Sequence, residues 1–367
     1  MDPAVLEQLI LREIRKEPAI SRRDLAEKLA VARSTAGRRV DSLIERGFLE
    51  ETGHETRSEA GRPRRFLGLR SDVGSFLGFD FDARYVYAVE TDFDLRAVAK
   101  IRLRIPTPAK KDQVIGILAS LLTKGPESWN PGPLLGYGFG IPGRVLREDQ
   151  IALSYPYIQG WEEVDLPSEL GLPREQAVIE NNTRSIAFGE YSLGNPTATE
   201  HLLCLNVRTG ISAAVISEGR LLRGHHEMAG EIRGWKDSMP PGSRNLEEIA
   251  TVQRALDEGF ESWNEFASLC QDNDSDANEL LSELIAHHAD ALSRLIQLTD
   301  PERVAIAGEF EKLGPDYLEP LRSATSESLT GHYFTTPPID FVAHGEFSGA
   351  MGAAALSAHH FLPREID

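Results

Sequence analysis

Cysteine is almost absent. Cys204 and Cys270 are the only two in 367 residues and lie far apart, so neither a disulfide framework nor a cysteine metal site is suggested. No hydrophobic run approaches the roughly 20 residues that a membrane helix needs, and the opening MDPAVLEQL lacks a signal-peptide pattern. The chain therefore reads as cytoplasmic, with no membrane partner. Positive charge is scarce as well: 39 Lys and Arg stand against 57 Asp and Glu, a net charge of -18. That excess argues against nucleic-acid binding until it is divided along the chain. Residues 1–70 hold 15 basic and 12 acidic side chains, whereas the remainder holds 24 against 45. Only the N-terminal segment can approach a phosphate backbone without large repulsion.

What that segment contains is a pair of short amphipathic helices between Ile20 and Glu51. Leu25, Ala26 and Leu29 share one face of the first, and Ala36, Val40, Leu43 and Ile44 recur at helical spacing in the second. Ser21, with Asp24 three residues on, makes a capping-box-like start, and Val31-Ala32 leaves room only for a tight turn. This is helix-turn-helix spacing. Val5, Leu6, Leu9, Ile10 and Ile14 supply a third helix over 3–16 to complete a small core. Burying the apolar face of the second helix leaves Arg33, Ser34, Thr35, Arg38 and Arg39 on its other surfaces, and these residue types read base edges and hold phosphates. Arg39 is the weakest candidate of the five, since a place toward phosphate and one toward solvent suit it equally. Gly47 ends the helix, and Phe48-Leu49-Glu50 and Arg65 to Leu69 read as the strands of a hairpin whose loop ends in Gly61-Arg62-Pro63-Arg64-Arg65. In a winged helix such a tip lies over the minor groove, where negative potential attracts Arg62 and Arg64. The bland alternative is a solvated basic loop on a small helical domain. Turn, helix, wing and charge together favour double-stranded DNA as the partner.

Beyond about Arg70 the pattern changes. Phe76–Asp82, Tyr85–Thr91 and Ala97–Ile105 are strand-like runs with very short turns, an antiparallel meander. A helix from about Asp112 to Thr123, a strand Leu134–Phe139 and Gly140-Ile141-Pro142-Gly143 follow. After an irregular stretch around Gln159-Gly160-Trp161, Ala177–Glu180 reads as a strand and Asn182–Leu193 as a helix. The same start recurs at Leu202–Val207, Ser212–Ser217 and the short arm Gly219–Leu222. Helices near 246–258, 262–271 and 275–298, a strand Val304–Ala307, a helix near 314–329, a strand Ile339–Val342 and a final helix from Gly349 complete the chain. This twofold order predicts an α/β fold: a winged helix-turn-helix over 1–70, then a duplicated ribonuclease-H-like, two-lobed body of the actin and sugar-kinase type. The first lobe is assigned to 71–190 and completed by a C-terminal helix in 346–367; the second, with dimerisation elements, to 191–345.

With these residues in place the chain resembles the ROK family (repressors, open reading frames and kinases), in its transcription-factor branch with an N-terminal winged helix. The resemblance runs essentially full length. It is carried by the helix pair, Gly61-Arg62-Pro63, Gly138-x-Gly140-Ile141-Pro142-Gly143, Glu180-Asn181-Asn182 to Gly189-Glu190, Ala229-Gly230-Glu231-Ile232, and Asp300-Pro301 ahead of Val304–Gly308. It implies DNA-bound and released states, often switched by a sugar between the lobes.

The resemblance also implies where chemistry is lost. Active kinases of the family open with a DxGGTK-like loop whose glycines let backbone N–H groups approach ATP phosphates. Here the loop is Asp80-Phe81-Asp82-Ala83-Arg84-Tyr85, and Asp82 sets a carboxylate where phosphate oxygens would lie. The kinases' Asn-Asp pair, which orients the sugar and accepts its proton, corresponds to Asn181-Asn182, and an amide has no basicity near neutral pH. No catalytic residue and no kinase activity are expected. The family's structural zinc site is implied to be lost too, because Arg233-Gly234-Trp235 and the run Met239 to Glu247 lack its histidine and three thiolates. No metal or other cofactor is expected, and His225-His226, His287-His288 and His359-His360 read as solvated or capping pairs. What remains of the sugar pocket is Asn181, Asn182, Glu231 and, on a looser correspondence, Glu247, lined by Gly140 to Gly143. Such amides and carboxylates suit sugar hydroxyls. The asparagine pair reads equally as a strand-to-helix turn with an N-cap, and Glu231 equally as the partner of a basic neighbour. The expectation is a homodimeric DNA-binding regulator, a repressor at an inverted repeat, switched by a carbohydrate effector. A ROK sugar kinase and an effector-independent DNA-binding protein stand as alternatives.

Overall fold

The structure, a computed structural model, describes residues 2–17, 19–54, 65–124, 132–194, 199–236, 244–331 and 335–361. Three helices open the chain: α1 (Pro3–Lys16), α2 (Arg22–Lys28) and α3 (Arg33–Glu45). The Asp2 side chain caps α1, and Ser21 and Asp24 close a reciprocal capping box on α2, which sets where each helix begins. Leu6, Ile10 and Ile14 of α1 then bury against Leu25, Val40 and Leu43. The wing follows as an antiparallel pair, β1 (Leu49–His54) and β2 (Arg65–Leu69), with Leu49 opposite Leu69 and a bulge between Glu51 and Gly53. Its tip, 55–64, which carries Arg62 and Arg64, lies outside the described residues.

The body holds two sheets of like construction. The first half of the body runs β3 (Ser75–Phe81), β4 (Tyr85–Asp92), β5 (Ala97–Arg104), α4 (Lys111–Lys124), β6 (Leu134–Ile141), β7 (Val145–Leu146), β8 (Ile151–Ser154), β9 (Glu162–Asp165), α5 (Leu166–Leu170), β10 (Ala177–Asn181) and α6 (Asn182–Leu193). The second half runs β11 (Leu202–Val207), β12 (Ile211–Ser217), β13 (Arg220–Leu221), α7 (Leu246–Ile249), α8 (Val252–Asp257), α9 (Trp263–Gln271), α10 (Ser275–Thr299), β14 (Arg303–Gly308), α11 (Pro315–Leu329), β15 (Ile339–Phe341) and α12 (Ser348–His360). The strand orders are β5-β4-β3-β6-β10 and β13-β12-β11-β14-β15. Each places its first strand between an antiparallel second and a parallel fourth, so the duplication read from the sequence is real.

Two local readings change. The stretch taken as irregular around Gly160 contains the small antiparallel sheet β7-β8-β9, whose strands of two to four residues are too short to show alternation. The single helix expected over 246–258 breaks at Ala250-Thr251 into α7 and α8. There the Ala250 carbonyl accepts from the His288 ring Nε2 at 2.7 Å, while Nδ1 meets the Tyr317 hydroxyl at 3.0 Å. Burial pushes the His288 imidazole down to about 4. In an unfolded chain it titrates near 6.5, so below that value the unfolded state takes up a proton that the folded state refuses. His288 should therefore cost about 2 kcal/mol of stability between pH 7 and pH 5. Urea unfolding at the two values checks this: His288→Gln should show a loss on acidification smaller by that amount.

Helix α12 is buried all round from Ser348 to Ala358 and packs on β3 and β6 as well as on α6. Glycine makes the approach possible: a Cβ at Gly78 or Gly138 would stand 1.9 Å from the carbonyl oxygens of Ala350 or Ala353. The opposite end of this packing holds the N-terminal domain. The Phe48 ring lies 5.7 Å from that of Phe93 at a tilt of 39°, and the core of α1 to α3 continues into Phe76, Leu95, Phe188 and Leu356. The Arg15 guanidinium donates to the Phe93 carbonyl at 2.8 Å, and Lys16 to the Tyr191 hydroxyl at 3.0 Å. Among the described residues no helix is long and apolar enough to cross a membrane.

Candidate functional site

The exposed end of α3 is built by absence. Its N-cap residue is Ala32, which offers no side-chain acceptor, so the first backbone N–H groups and the positive end of the helix stay open. Around them Arg33, Ser34 and Arg38 are exposed and Thr35 is half-buried. Arg33 reaches Glu27 at 3.4 Å, a solvated contact that a phosphate can displace. Arg39 is placed differently from the others. Its guanidinium lies 3.5 Å from Glu7, a carboxylate buried on α1 that also takes Arg46 at 3.0 Å. Glu7 thus ties α1 to the middle and the C-terminal end of α3, and Arg39 orients the helix rather than facing outward freely. Sequence reading missed Glu7, although a charge between Leu6 and Ile10 on an otherwise apolar face was the available signal. Arg22 joins the same framework, pairing with Asp41 on α3 and, at 3.3 Å, with Glu51 on the wing.

Between the lobes, the β10–α6 junction is the organising turn. Asn181 is the N-cap of α6: its Oδ1 accepts from the N–H groups of Thr183 at 3.0 Å and Arg184 at 3.2 Å. Its Nδ2 donates to the Gly143 carbonyl at 2.9 Å, which fixes the Gly140–Gly143 loop against the helix start. Asn182 is buried and its Oδ1 accepts from Thr183 at 2.8 Å, whereas its amide nitrogen has no protein acceptor among the described residues. The Thr183 hydroxyl meets that of Ser212 at 2.6 Å, and the neighbouring Ala213 N–H donates to Gly230 at 2.9 Å, which sets Glu231 next in line. Glu247 stands against Gly210, where a Cβ would lie 3.1 Å from its Oε1. Burial, opposed by Arg233 and assisted by Glu231, pushes the Glu247 carboxyl above its ordinary range. Behind the turn, Glu180 is buried between Arg184 at 2.7 Å and Arg223 at 2.8 Å, and both cations hold it below the ordinary carboxylate range despite that burial.

The loop matching the phosphate-binding turn is occupied by its own side chain. Asp82 is buried, and its Oδ1 accepts from the backbone N–H groups of Arg84 at 2.6 Å and Tyr85 at 2.9 Å. These are N–H groups of the kind that a phosphate would need. Two ion pairs then bridge the lobes here: Arg84 with Glu309 at 2.6 Å, and Arg208, which follows β11, with Asp80 on β3 at 2.8 Å. A cavity of about 570 Å³ remains beside them, bounded by Tyr87, Arg208, Glu309 and Glu311 among others. Neither bridge was visible in the sequence, where the partners are more than a hundred residues apart.

Among the described residues no group of three or more His, Cys, Asp and Glu side chains is placed to hold a metal ion. His225 and His226 pack ring against ring at 4.5 Å. Residues 237–243, most of the run that replaces the family's thiolates, lie outside the described residues.

A family model described as the ROK family matches residues 77–235 and 249–360, and one described as a winged helix-turn-helix DNA-binding domain matches residues 6–50. The xylose repressor of Bacillus subtilis (strain 168) is 25% identical over 378 aligned residues, covering 98% of this chain and 96% of its own. The N-acetylglucosamine repressor of Escherichia coli O6:H1 (strain CFT073) is 24% identical, covering 95% of this chain and 90% of its own. In solved structures, a ROK family transcriptional regulator that is a homolog of the E. coli MLC protein superposes with a TM-score of 0.79 at 20% identity, covering 97% of this chain and 96% of its own. A ROK family glucokinase from Streptomyces griseus, in complex with glucose and AMPPNP, gives 0.67 at 22% identity, covering 77% of this chain and 99% of its own. The chain belongs to the ROK family, joining a winged helix-turn-helix DNA-binding domain to a ROK body in the arrangement of that family's transcriptional regulators.

Proposed function

We propose that the protein is a cytoplasmic transcriptional repressor that binds an inverted repeat as a homodimer and is switched by a sugar held between the lobes. The observation that carries the DNA reading is α3, whose first turn is uncapped and edged with exposed Arg33, Ser34 and Arg38 while its far side is fixed through Glu7. In this reading Arg33, Ser34, Thr35 and Arg38 meet bases and phosphates in the major groove, Arg39 aligns the helix, and Arg62 and Arg64 enter the minor groove. Two such helices read half-sites roughly 34 Å apart or a multiple of that.

Relatives named for xylose and N-acetylglucosamine support a pentose or hexose-type effector. Asn182, with a free amide nitrogen, and Glu231 and Glu247 are the groups proposed to meet its hydroxyls, while Asn181 shapes the wall. Phosphoryl transfer is not proposed: Asp82 already takes the turn's N–H groups, and Asn182 cannot accept a proton.

A duplex selected from a random pool and titrated by fluorescence anisotropy tests the reading. Arg38→Ala should weaken binding by about 1 to 3 kcal/mol, roughly 5- to 150-fold, with the melting temperature unchanged. Protein that prefers no duplex over competitor at moderate salt would falsify it. Xylose or N-acetylglucosamine should raise the melting temperature without ADP release from ATP; turnover sinks the non-enzymatic part.

A further inference from the structure

A second cavity, of about 400 Å³, lies between α1 and the body, and none of Asn181, Asn182, Glu231 and Glu247 lines it. Arg12, Arg15 and Lys16 line it from the DNA-binding domain, and Arg147, Arg220 and Arg223 from the body. No Asp or Glu is among the described residues that line it. Some of the cations are partly answered elsewhere: Arg12 by Glu13 at 3.5 Å, Arg223 by Glu180, Arg15 by the Phe93 carbonyl. Asp92 and Asp94 act on Arg15 without lining the cavity. Among the described residues Arg147 and Arg220 have no carboxylate partner, and the Nε atoms of Arg15 and Arg147 are buried with no hydrogen-bond partner. Buried guanidinium N–H groups without acceptors cost stability unless something accepts from them. The field is felt locally: burial, then His360 and the α1 cations, push the His359 imidazole down to about 4. The rest of the wall is apolar, from Leu95, Phe188, Leu221 and Leu356.

We infer that this cavity is a binding site for a small organic phosphate, whose dianion takes the guanidinium groups and whose carbon skeleton covers the apolar wall. Arginine forks match phosphate oxygens, and like charges brought together from two domains are relieved by an anion between them. An occupant would contact both α1 and the body, and so hold the DNA-binding domain to the lobe that carries α12.

Isothermal titration of the full chain at constant ionic strength, with phenyl phosphate, inorganic phosphate and phenol as probes, tests the site. Phenyl phosphate should bind once per chain and more tightly than inorganic phosphate, and phenol should not bind. Arg12→Gln/Arg220→Gln should weaken phenyl phosphate tenfold or more with an unchanged melting temperature, while Arg102→Gln should not, since Arg102 lines the separate cavity of about 570 Å³ beside Arg208 and Glu309. Absence of binding at millimolar phenyl phosphate, equal affinity for inorganic phosphate, or a loss that follows Arg102→Gln instead overturns the assignment. No DNA enters this readout, so its outcome is independent of the repressor reading.

Discussion

Arg208→Met is expected to lower the free energy of unfolding by about 3 to 5 kcal/mol, the usual cost of removing one partner from a buried ion pair. The Arg208 side chain is 10% exposed and that of Asp80 fully buried, and the 2.8 Å contact between them joins the first strand of one sheet to the end of the first strand of the other. Asp80 Oδ1 has no hydrogen-bond partner among the described residues, so the guanidinium is the carboxylate's main compensation. Burial raises the Asp80 carboxyl above its ordinary range and Arg208 pulls it back. With the arginine gone, the folded-state value climbs further above the unfolded one. The deficit should therefore be larger at high pH and shrink as pH falls through the raised folded-state value, where the buried Asp80 carboxyl takes up a proton and no longer needs the guanidinium. Asp80→Asn/Arg208→Met should lose less than Arg208→Met alone, because no uncompensated charge is left behind. Urea unfolding of the three proteins decides it; a loss below about 1 kcal/mol in Arg208→Met would mean that the pair is solvated in solution.

Gly352→Val is expected to prevent the body from folding, with a cost of at least about 3 kcal/mol, at or above the top of the range for overpacked cores. A Cβ at Gly352 would stand 1.7 Å from the Ser185 carbonyl oxygen and 3.2 Å from the Gly189 nitrogen. Both neighbours are backbone, so no side chain can swing aside, and α6 and α12 would have to separate. That separation would disturb the Asn181 cap at one end of α6 and, through Ala354 and Leu356, the seat of the DNA-binding domain. Gly37→Ala is the control. Among the described residues nothing lies within 4 Å of where its Cβ would stand on α3, so it should stabilise by about 0.5 to 1 kcal/mol through helix propensity. Circular dichroism and thermal melts of the two variants separate crowding from a general intolerance of glycine replacement.

The winged helix was legible because each of its signals is short-range. A capping box spans three residues, an amphipathic face repeats within four, and the open end of α3 follows from which side Ala36, Val40 and Leu43 must bury. The duplicated sheets were legible for a similar reason, since a meander declares itself through adjacent strands and the second copy repeats the first. Likewise, Asn181 and Asn182 at a strand-to-helix junction announced a cap, and the structure gives that role to Asn181.

Other features depend on partners distant in the chain, and no local pattern encodes them. Only the tertiary structure showed that Arg39 is drawn to Glu7, that His288 ends α7 by taking the Ala250 carbonyl, and that Arg208 and Arg84 clamp the lobes. The same holds for the cationic cavity, which exists because α1 docks beside β13 and α12. Sequence alone thus determined the main elements and their order, though not the short strands β7 to β9 or the break between α7 and α8, since backbone propensity and side-chain periodicity act between near neighbours. The pairing of charges and the places where the chain must be glycine were decided by packing, because a buried ion or a sub-van-der-Waals approach has meaning only once two remote segments meet.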